Sequence, residues 1–528
     1  MSSRAKEGRV TPRACPSDPP PRERPLRPRG RGRRAAWGAV AGLLLTGCAV
    51  GPNFTRPPAP AATGYTREPV ALPPPGGTDI EQRFVTETAV ARQWWELFRS
   101  PQLNETIALA LTGSPTLASA RAILAQAEAV VAQARGVYYP QVDVAGAAKS
   151  SSARDTTDAS ARRASTTTGS TINVFSFGPL LTYDPDLFGH NRRFVEQQAA
   201  LAENQGYQLA AAYLSLAAGA VTQAVTIAST RAQIKAAEQV IATDEHTLEL
   251  VRIEFEAGAV AMTDVLLAQS QLARDRTLLP PLRQQLDVAR HALSVLVGEA
   301  PAQWSPPDFD LEALALPADL PVILPSELVH QRPDILAAEA QLHAANAAVG
   351  VATALLYPNV TLSAAWTVER TVRQGARLLD TTSFITDLAG GLIAPLFHGG
   401  ALEAQRRAAV AAFAAQLATY RQVVLLAFGQ VADTLRALQN DAELLRTEIA
   451  ALTTSEASLK LAQDAYAAGR GSLIQVLDAE RLYGQAALGY EKSKGQRYLD
   501  TVLLFQTMGG GGQDWLQSAA AGPRDTGR

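Results

Sequence analysis

Two stretches of this chain, 218 positions apart, are copies of one another, and that duplication limits the fold more than any other feature. "SPTLASARAILAQAEAVVAQARGVYYPQVDVAGAA" aligns with "RPDILAAEAQLHAANAAVGVATALLYPNVTLSAAW", so that Pro115 matches Pro333 and Pro140 matches Pro358. Self-similarity at a fixed spacing means that one structural plan is used twice. Each copy opens as a helix with proline in its first turn and closes on Tyr-Pro, because the residue before a proline avoids helical backbone angles. Alternation follows: Val142 and Val144 interleave with Gln141 and Asp143, and Val360 and Leu362 interleave with Asn359, Thr361 and Ser363. A period of two predicts strands.

The copies continue in step. "TINVFSFGPLLTYDPDLFG" and "SFITDLAGGLIAPLFHGG" each read as a returning strand that ends in Leu-Phe and glycine. Long uninterrupted helical tracts follow, His190–Phe255 and Ala401–Tyr466. At 1.5 Å per residue each spans about 100 Å. Both end in a glycine turn, where Gly258 aligns with Gly469 and Val265 with Val476 at an offset of 211, and a further helix runs to about Val297 or Gln506. In the first half a helical pattern also precedes the repeat, from Gln93 ("QWWELFRSPQLNETIALAL") to about Val137. Each half is therefore helix, strand, strand, very long helix, tip turn, helix. Helices of such length must bury a stripe against partners. Four strands are too few to close a barrel, whereas three copies supply twelve, which points to a trimer.

Composition agrees with long helices: 47% of the 528 residues are hydrophobic but only 6% aromatic, with Ala, Leu, Gln, Glu and Arg filling the tracts. Net charge is −2, unevenly spread. Residues 1–36 hold eleven Lys/Arg against three Asp/Glu. This basic head precedes the apolar run Ala35–Leu45, small residues and Cys48, the layout of a secretory signal. A removed leader is no nucleic-acid patch. "LTGC" resembles a bacterial lipobox, in which the cysteine would receive a diacylglyceryl group and an N-acyl chain and become residue one. Ala49 follows where an aspartate would favour inner-membrane retention. No cysteine lies beyond Cys48, so no disulfide framework or thiolate metal site is expected. No later run of 18 apolar residues predicts a spanning helix, and any membrane crossing would need a closed barrel.

Catalysis has no foothold. The six histidines (190, 246, 291, 330, 343 and 398) lack metal-ligand spacing, and neither a nucleophile elbow nor a phosphate loop is present. No metal, cofactor or enzymatic activity is expected. One reading is a structural coiled-coil outer-membrane lipoprotein, which long Ala-rich helices alone would suit. Paired Tyr-Pro strands and duplicated tip turns would be superfluous in it.

On "CAVGPNF", "QWWELF", "YDPDLFGHNRR", "AGAVAMTDVLLAQSQL", "AAGRGSLIQVLDAERL" and above all Arg332–Ala364, the chain resembles the outer-membrane efflux factor (TolC-like) family, in its NodT-type lipoprotein branch, over residues 48–507. The resemblance implies a mainly α protein with a transmembrane β-barrel. A homotrimer would form a 12-stranded barrel, four strands per chain, continued by an α-helical periplasmic tunnel. It further implies a lipid-anchored exit duct of a tripartite RND-type pump in the outer membrane. A periplasmic adaptor and an inner-membrane pump would be its partners, and drugs, other toxic small molecules or metal ions would pass without chemistry. Carried over residue by residue, Thr263 and Asp264 match the family's first-hairpin latch, Tyr466 the latch tyrosine and Asp478 a gate acid. Gln475 and Gly471 depart from the pattern, and Arg470 stands one position early as a partner for Asp264. Gly258 and Gly469 match the tip turns at which the adaptor docks. The implied organisation is a signal peptide over 1–47, a lipidated extended linker over 48–92 and repeats over 93–300 and 326–508. Residues 301–325 would join the repeats, and 509–528 would be a flexible tail with no chemistry.

Overall fold

A computed structural model describes residues 49–68, 70–72, 82–86, 90–154, 169–374 and 381–511. Cys48 and most of the C-terminal tail lie outside the described residues, as do residues 155–168. In order, the elements are β1 (Arg83–Thr86), α1 (Pro101–Gly113), α2 (Pro115–Arg135), β2 (Gln141–Arg154), β3 (Gly169–Tyr183), α3 (His190–Glu256), α4 (Met262–Arg276), α5 (Leu279–Val297), β4 (Asp319–Val322), α6 (Pro325–Leu328), α7 (Pro333–Ala354), β5 (Asn359–Gln374), β6 (Thr381–Ile393), α8 (Ala401–Ala467) and α9 (Leu473–Thr507). The duplication is visible throughout: α2-β2-β3-α3 is repeated as α7-β5-β6-α8, and both α3 and α8 are 67 residues long.

The four long strands form one antiparallel sheet in the order β2-β3-β5-β6. Its register sorts side chains by chemistry. Val142, Val144, Phe175, Phe177, Trp366, Val368, Phe384 and Leu388 share one face and are all exposed. Asp143, Lys149, Ser176, Thr182, Ser363, Glu369 and Asp387 share the other. Apolar residues on one face and polar residues on the other are the mark of a strand set between lipid and a water-filled lumen. The outer edges of β2 and β6 pair with no strand among the described residues. Below the sheet, Tyr138, Tyr139, Tyr183, Phe188 and Tyr357 gather where strands become helices, with Phe188 stacked on Tyr357 at 5.1 Å. Aromatic residues favour that depth, the membrane–water interface.

The helical pattern from Gln93 is not continuous. Trp94–Phe98 is a single 3-10 turn closed by Arg99 in the left-handed region (φ 52). A second break falls at Ser114, which Pro115 keeps extended at ψ 120. The break lets Gly113 abut Gly298 at the end of α5, so closely that a Cβ on Gly298 would collide with the Gly113 carbonyl oxygen. Pro280 and Pro281 likewise coincide with the interruption between α4 and α5, so the first half returns in two helices and the second in one.

Both 67-residue helices contain an 18-residue window apolar enough to pass for a membrane span, contrary to the expectation of none after Cys48. Their alanines supply that character. In α3 the window is 56% buried, against 11% in α8.

The stretches read as linkers are bound to the helices. β1 and β4 form a two-stranded parallel sheet, and Arg497 of α9 donates to Gln82 (2.8 Å), which donates in turn to the Pro317 carbonyl (3.0 Å). Beneath this belt Trp94, Phe98, Phe309 and Phe505 are fully buried, and Trp94 stacks on Phe505 at 5.1 Å. Residues 49–56 form a strap across α3 and α7. Val50 N–H donates to the Phe188 carbonyl (3.0 Å), Arg193 donates to Asn53 (2.7 Å), Phe54 stacks on His343 (4.5 Å) and Arg56 pairs with Glu339 (2.5 Å). Trp94→Ala removes the largest side chain of the belt core and is expected to cost about 3–5 kcal/mol. The measurement is the heat-denaturation midpoint of purified protein in detergent; an unchanged midpoint would deny the belt a structural role.

Candidate functional site at the hairpin turns

The ends of α3 and α8 are built alike. Each finishes in a glycine with positive φ, Gly258 (+75°) and Gly469 (+67°). The following N–H reaches back across the turn, from Ala259 to the Glu254 carbonyl (2.8 Å) and from Arg470 to the Ala465 carbonyl (2.9 Å). A Cβ on either glycine would meet open space, so the left-handed backbone, not crowding, selects glycine here. Gly471 differs: its φ is ordinary, but a Cβ would press on Tyr466 N at 3.1 Å and Ala465 C at 3.2 Å.

The helices that leave the turns are capped by the same device. Asp264 accepts from the Ala261 N–H (3.2 Å), and Gln475, its counterpart at the offset of 211, accepts from the Ser472 N–H (3.0 Å). A third-position side chain satisfying the cap donor is one half of a capping box. The departure at Gln475 therefore keeps the hydrogen bond without the charge.

The contacts at the turns differ from those expected. Tyr466 does link the two hairpins, but its hydroxyl donates to Glu254 rather than to Thr263 or Asp264. Burial, and next the Glu254 carboxylate, raise the Tyr466 pKa well above its ordinary value, so it remains a donor. Arg470 is not the partner of Asp264, whose carboxylate is occupied by its own helix. The side chains of Arg470 and Thr263 are exposed and make no hydrogen bond or ion pair among the described residues. Asp478 pairs with Arg481 one turn along α9 (2.6 Å), both exposed, a contact worth little on a surface. Glu254 was missed at the level of sequence. Its one signal is an acid in the last turn of a helix, where the dipole disfavours negative charge and a partner is needed. An apolar cluster under the turns joins the hairpins, with Leu473 of α9 among Leu248, Val251, Val265 and Leu272.

Farther along the hairpins lies a buried polar layer. Asp244 is 2% exposed and Glu480 1%. Neither Asp244 oxygen accepts a hydrogen bond from a described donor, and Thr247 donates to Glu480 (2.5 Å). Burial, then the Asp275 carboxyl across on α4, pushes Asp244 up to about 8. Burial also raises Glu480. Where α8 and α9 meet, burial and Asp500 push Asp441 up to about 8.

At the other end of α3, Asp186 (φ 46) caps the helix through Asn191 N–H (3.0 Å) and Arg192 N–H (2.9 Å). This residue too was not singled out from the sequence. The strap begins beside it: a Cβ on Gly189 would lie 2.7 Å from Ala49. Among the described residues no group of histidines, cysteines and acids could hold a metal ion.

A sheet with a lipid face, a polar face and two open edges, running directly into helices of about 100 Å, defines a channel protein whose barrel is closed by further copies. The chain belongs to the outer membrane efflux protein family, which it matches over residues 106–299 and 324–510. It is 30% identical over 436 residues to the pyoverdine export outer membrane protein OpmQ of Pseudomonas aeruginosa, covering 81% of this chain and 89% of that one. It is 27% identical over 497 residues to nodulation protein T of Rhizobium leguminosarum bv. viciae, covering 92% and 95%. The solved structure of the outer-membrane channel OprN superposes with a TM-score of 0.76 at 26% identity, covering 88% of this chain and all of that chain. The protein is thus an outer-membrane efflux channel of the TolC-like, NodT-type fold, a trimer with a 12-stranded barrel and a large periplasmic portion, and not a simple coiled-coil lipoprotein.

Asp244 sets the sign of a pH effect. Between about pH 4 and pH 8 the folded chain holds a proton that the unfolded chain has released. Stability is therefore fully present below that window and falls as pH rises through it. Asp244→Asn, neutral at every pH, is expected to raise the denaturation midpoint at pH 8 and to reduce its fall between pH 5 and pH 8. Asp441 and Glu480 carry the remaining slope. Circular-dichroism melts at the two pH values check this, and an unaltered slope would show that Asp244 is ionised in the fold.

Proposed function

We propose that three copies form the exit duct of a tripartite efflux pump, through which small toxic molecules or metal ions leave the periplasm without covalent chemistry, the energy coming from the inner-membrane pump. The observation that carries this is the continuity of the amphipathic sheet with the 67-residue helices, one chain supplying both the wall in lipid and the wall in water. The turns at Gly258 and Gly469 dock the periplasmic adaptor, since they present paired helix ends on a glycine-fixed backbone. The hydrogen bond from Tyr466 to Glu254 is the latch that ties the hairpins in the resting state. Asp264, Asp478, Arg470 and Thr263 line the same end, where threefold symmetry brings like carboxylates together and concentrates negative potential at a narrow mouth. Specificity lies with the pump.

Cys48 is the lipidated first residue of the mature chain, bearing diacylglyceryl and N-acyl groups. Support comes from its neighbour: Ala49 sits at the strand-to-helix junction, level with the aromatic cluster. An acyl chain one residue away is within reach of the inner leaflet.

Tyr466→Phe and Glu254→Ala each remove the latch hydrogen bond and are expected to raise single-channel conductance in planar bilayers several-fold. Wild-type conductance in both variants would place the latch elsewhere, and no conductance in any variant would sink the duct itself. Cys48→Ala is expected to abolish labelling by radioactive palmitate while trimers still reach the outer membrane, because the barrel anchors them. Wild-type protein that takes up no palmitate would end the lipid assignment and leave the channel intact.

A further inference from the structure

Resting on the exit-duct reading, we infer that two proton-sharing carboxyl pairs, Asp244 with Asp275 and Asp441 with Asp500, clasp the returning helix of each hairpin to its long helix and let go at alkaline pH, so that conductance follows the acidity around the tunnel. The two pairs are built alike. In each, one aspartate sits on a 67-residue helix and lacks a donor: both Asp244 oxygens and Asp441 Oδ2 are buried without a hydrogen bond from a described donor. Its partner sits on the helix that returns, α4 or α9, and is held by a glutamine four residues earlier. Gln271 donates to Asp275 (2.6 Å) and Gln496 to Asp500 (3.2 Å). Each partner carboxyl lies within hydrogen-bond reach of the first aspartate. A carboxylate only accepts, so two carboxyls that meet away from water stay together by sharing a proton.

Their positions repeat as well. Asp244 lies 14 residues before Gly258 and Asp275 lies 17 after it, while Asp441 lies 28 before Gly469 and Asp500 lies 31 after it. Both pairs are therefore centred on their own turn, the second standing two heptads farther away. Seven-residue steps return to the same face of packed helices, so both pairs fall on the seam between the outgoing and returning helix. They are not copies of one another under the duplication: at the offset of 211, Asp244 falls on Ser455 and Asp275 on Ala486. One arrangement thus stands at two unrelated places. The surrounding charges fix the direction of the response. On Asp244 act the carboxyls of Asp275, of Glu480 on α9 and of Glu245 on its own helix. Arg276 is tied to that Glu245 at 2.6 Å, and Glu480 accepts from Thr247 (2.5 Å). Asp441 faces Asp500 and one cation, Arg497, whose Nε donates to Gln82. Burial and the facing carboxyl push Asp244 and Asp441 up to about 8, so the protons leave on the alkaline side of neutrality. Two carboxylates then face each other in each hairpin, and their repulsion parts the helices. The pairs lie along the hairpins, away from the Tyr466–Glu254 hydrogen bond at the turns, and add a second, pH-dependent hold to it.

Single-channel recordings of the full-length protein in planar bilayers, at about pH 6 and about pH 9, on either side of the shifted aspartates, test this. Wild-type conductance is expected to rise several-fold between the two. Asp244→Asn/Asp441→Asn keeps an amide donor facing each partner carboxylate at every pH, and is expected to hold the low-pH conductance throughout. A rise of wild-type size in the double variant, or no rise in the wild type, would overturn the proton pairs and leave the duct standing. No conductance in any variant at either pH would overturn the duct, and a second measurement then decides the pairs without conduction. Glu249 and Ser270 are exposed residues of α3 and α4, opposed about Gly258 at the same spacing as Asp244 and Asp275. Nitroxides on Glu249→Cys/Ser270→Cys are expected to lose dipolar broadening at the higher pH and to keep it when Asp244→Asn is added. Broadening that pH leaves unchanged without Asp244→Asn, or that is lost equally with it, would overturn the clasp.

Discussion

Backbone amides in hydrocarbon have no water to bond, and the open edges of β2 and β6 make that constraint the organising fact of this protein. Thirteen or more residues of unpaired strand on each side of a sheet cannot be tolerated in lipid, so the protomer is an incomplete object. The bare side of α8 is a consequence of the same incompleteness, whereas the apolar face of the sheet is left for lipid. What would be aggregation hazards on a soluble monomer are here the surfaces by which copies of the chain complete one another.

Away from the sheet the problem reverses. Helices of this length have little to hold them except one another, and the chain reinforces them at three levels. The strap ties Ala49–Arg56 across α3 and α7 just below the strands. The belt wraps the middle with a parallel strand pair over a floor of Trp94, Phe98 and Phe505. Toward the turns the packing becomes polar, with Asp244, Thr247 and Glu480 buried between helices. A buried carboxyl is a costly way to join helices.

The sequence was most legible where geometry repeats. The paired Tyr-Pro corners, the strands and the two 67-residue helices follow from periodicity and from the offsets of 218 and 211. The helix breaks at Ser114 and between α4 and α5 were written in Pro115 and Pro280-Pro281 but were masked by strong helical pattern on either side. The linkers looked featureless because their order is tertiary: β1 and β4 are four residues each and exist only through one another. At the tip, motif position singled out Tyr466 but not Glu254, to which its hydroxyl donates, because side-chain choice depends on which carboxylate is already taken. Asp264 was committed to its own helix end, which left Glu254.

The two offsets differ by seven, and the whole difference falls between the strands. The first hairpin closes from Gln141 to Thr182, the second from Asn359 to Ile393. The tunnel of the trimer therefore has six near-equivalent walls, while the connection from β2 to β3 is longer in sequence than that from β5 to β6. A reader inside the cell envelope meets a nearly sixfold object, and one outside meets a threefold one. Loop length is entropically inexpensive to change, so the rim is where the duplicated halves have been free to become different molecules.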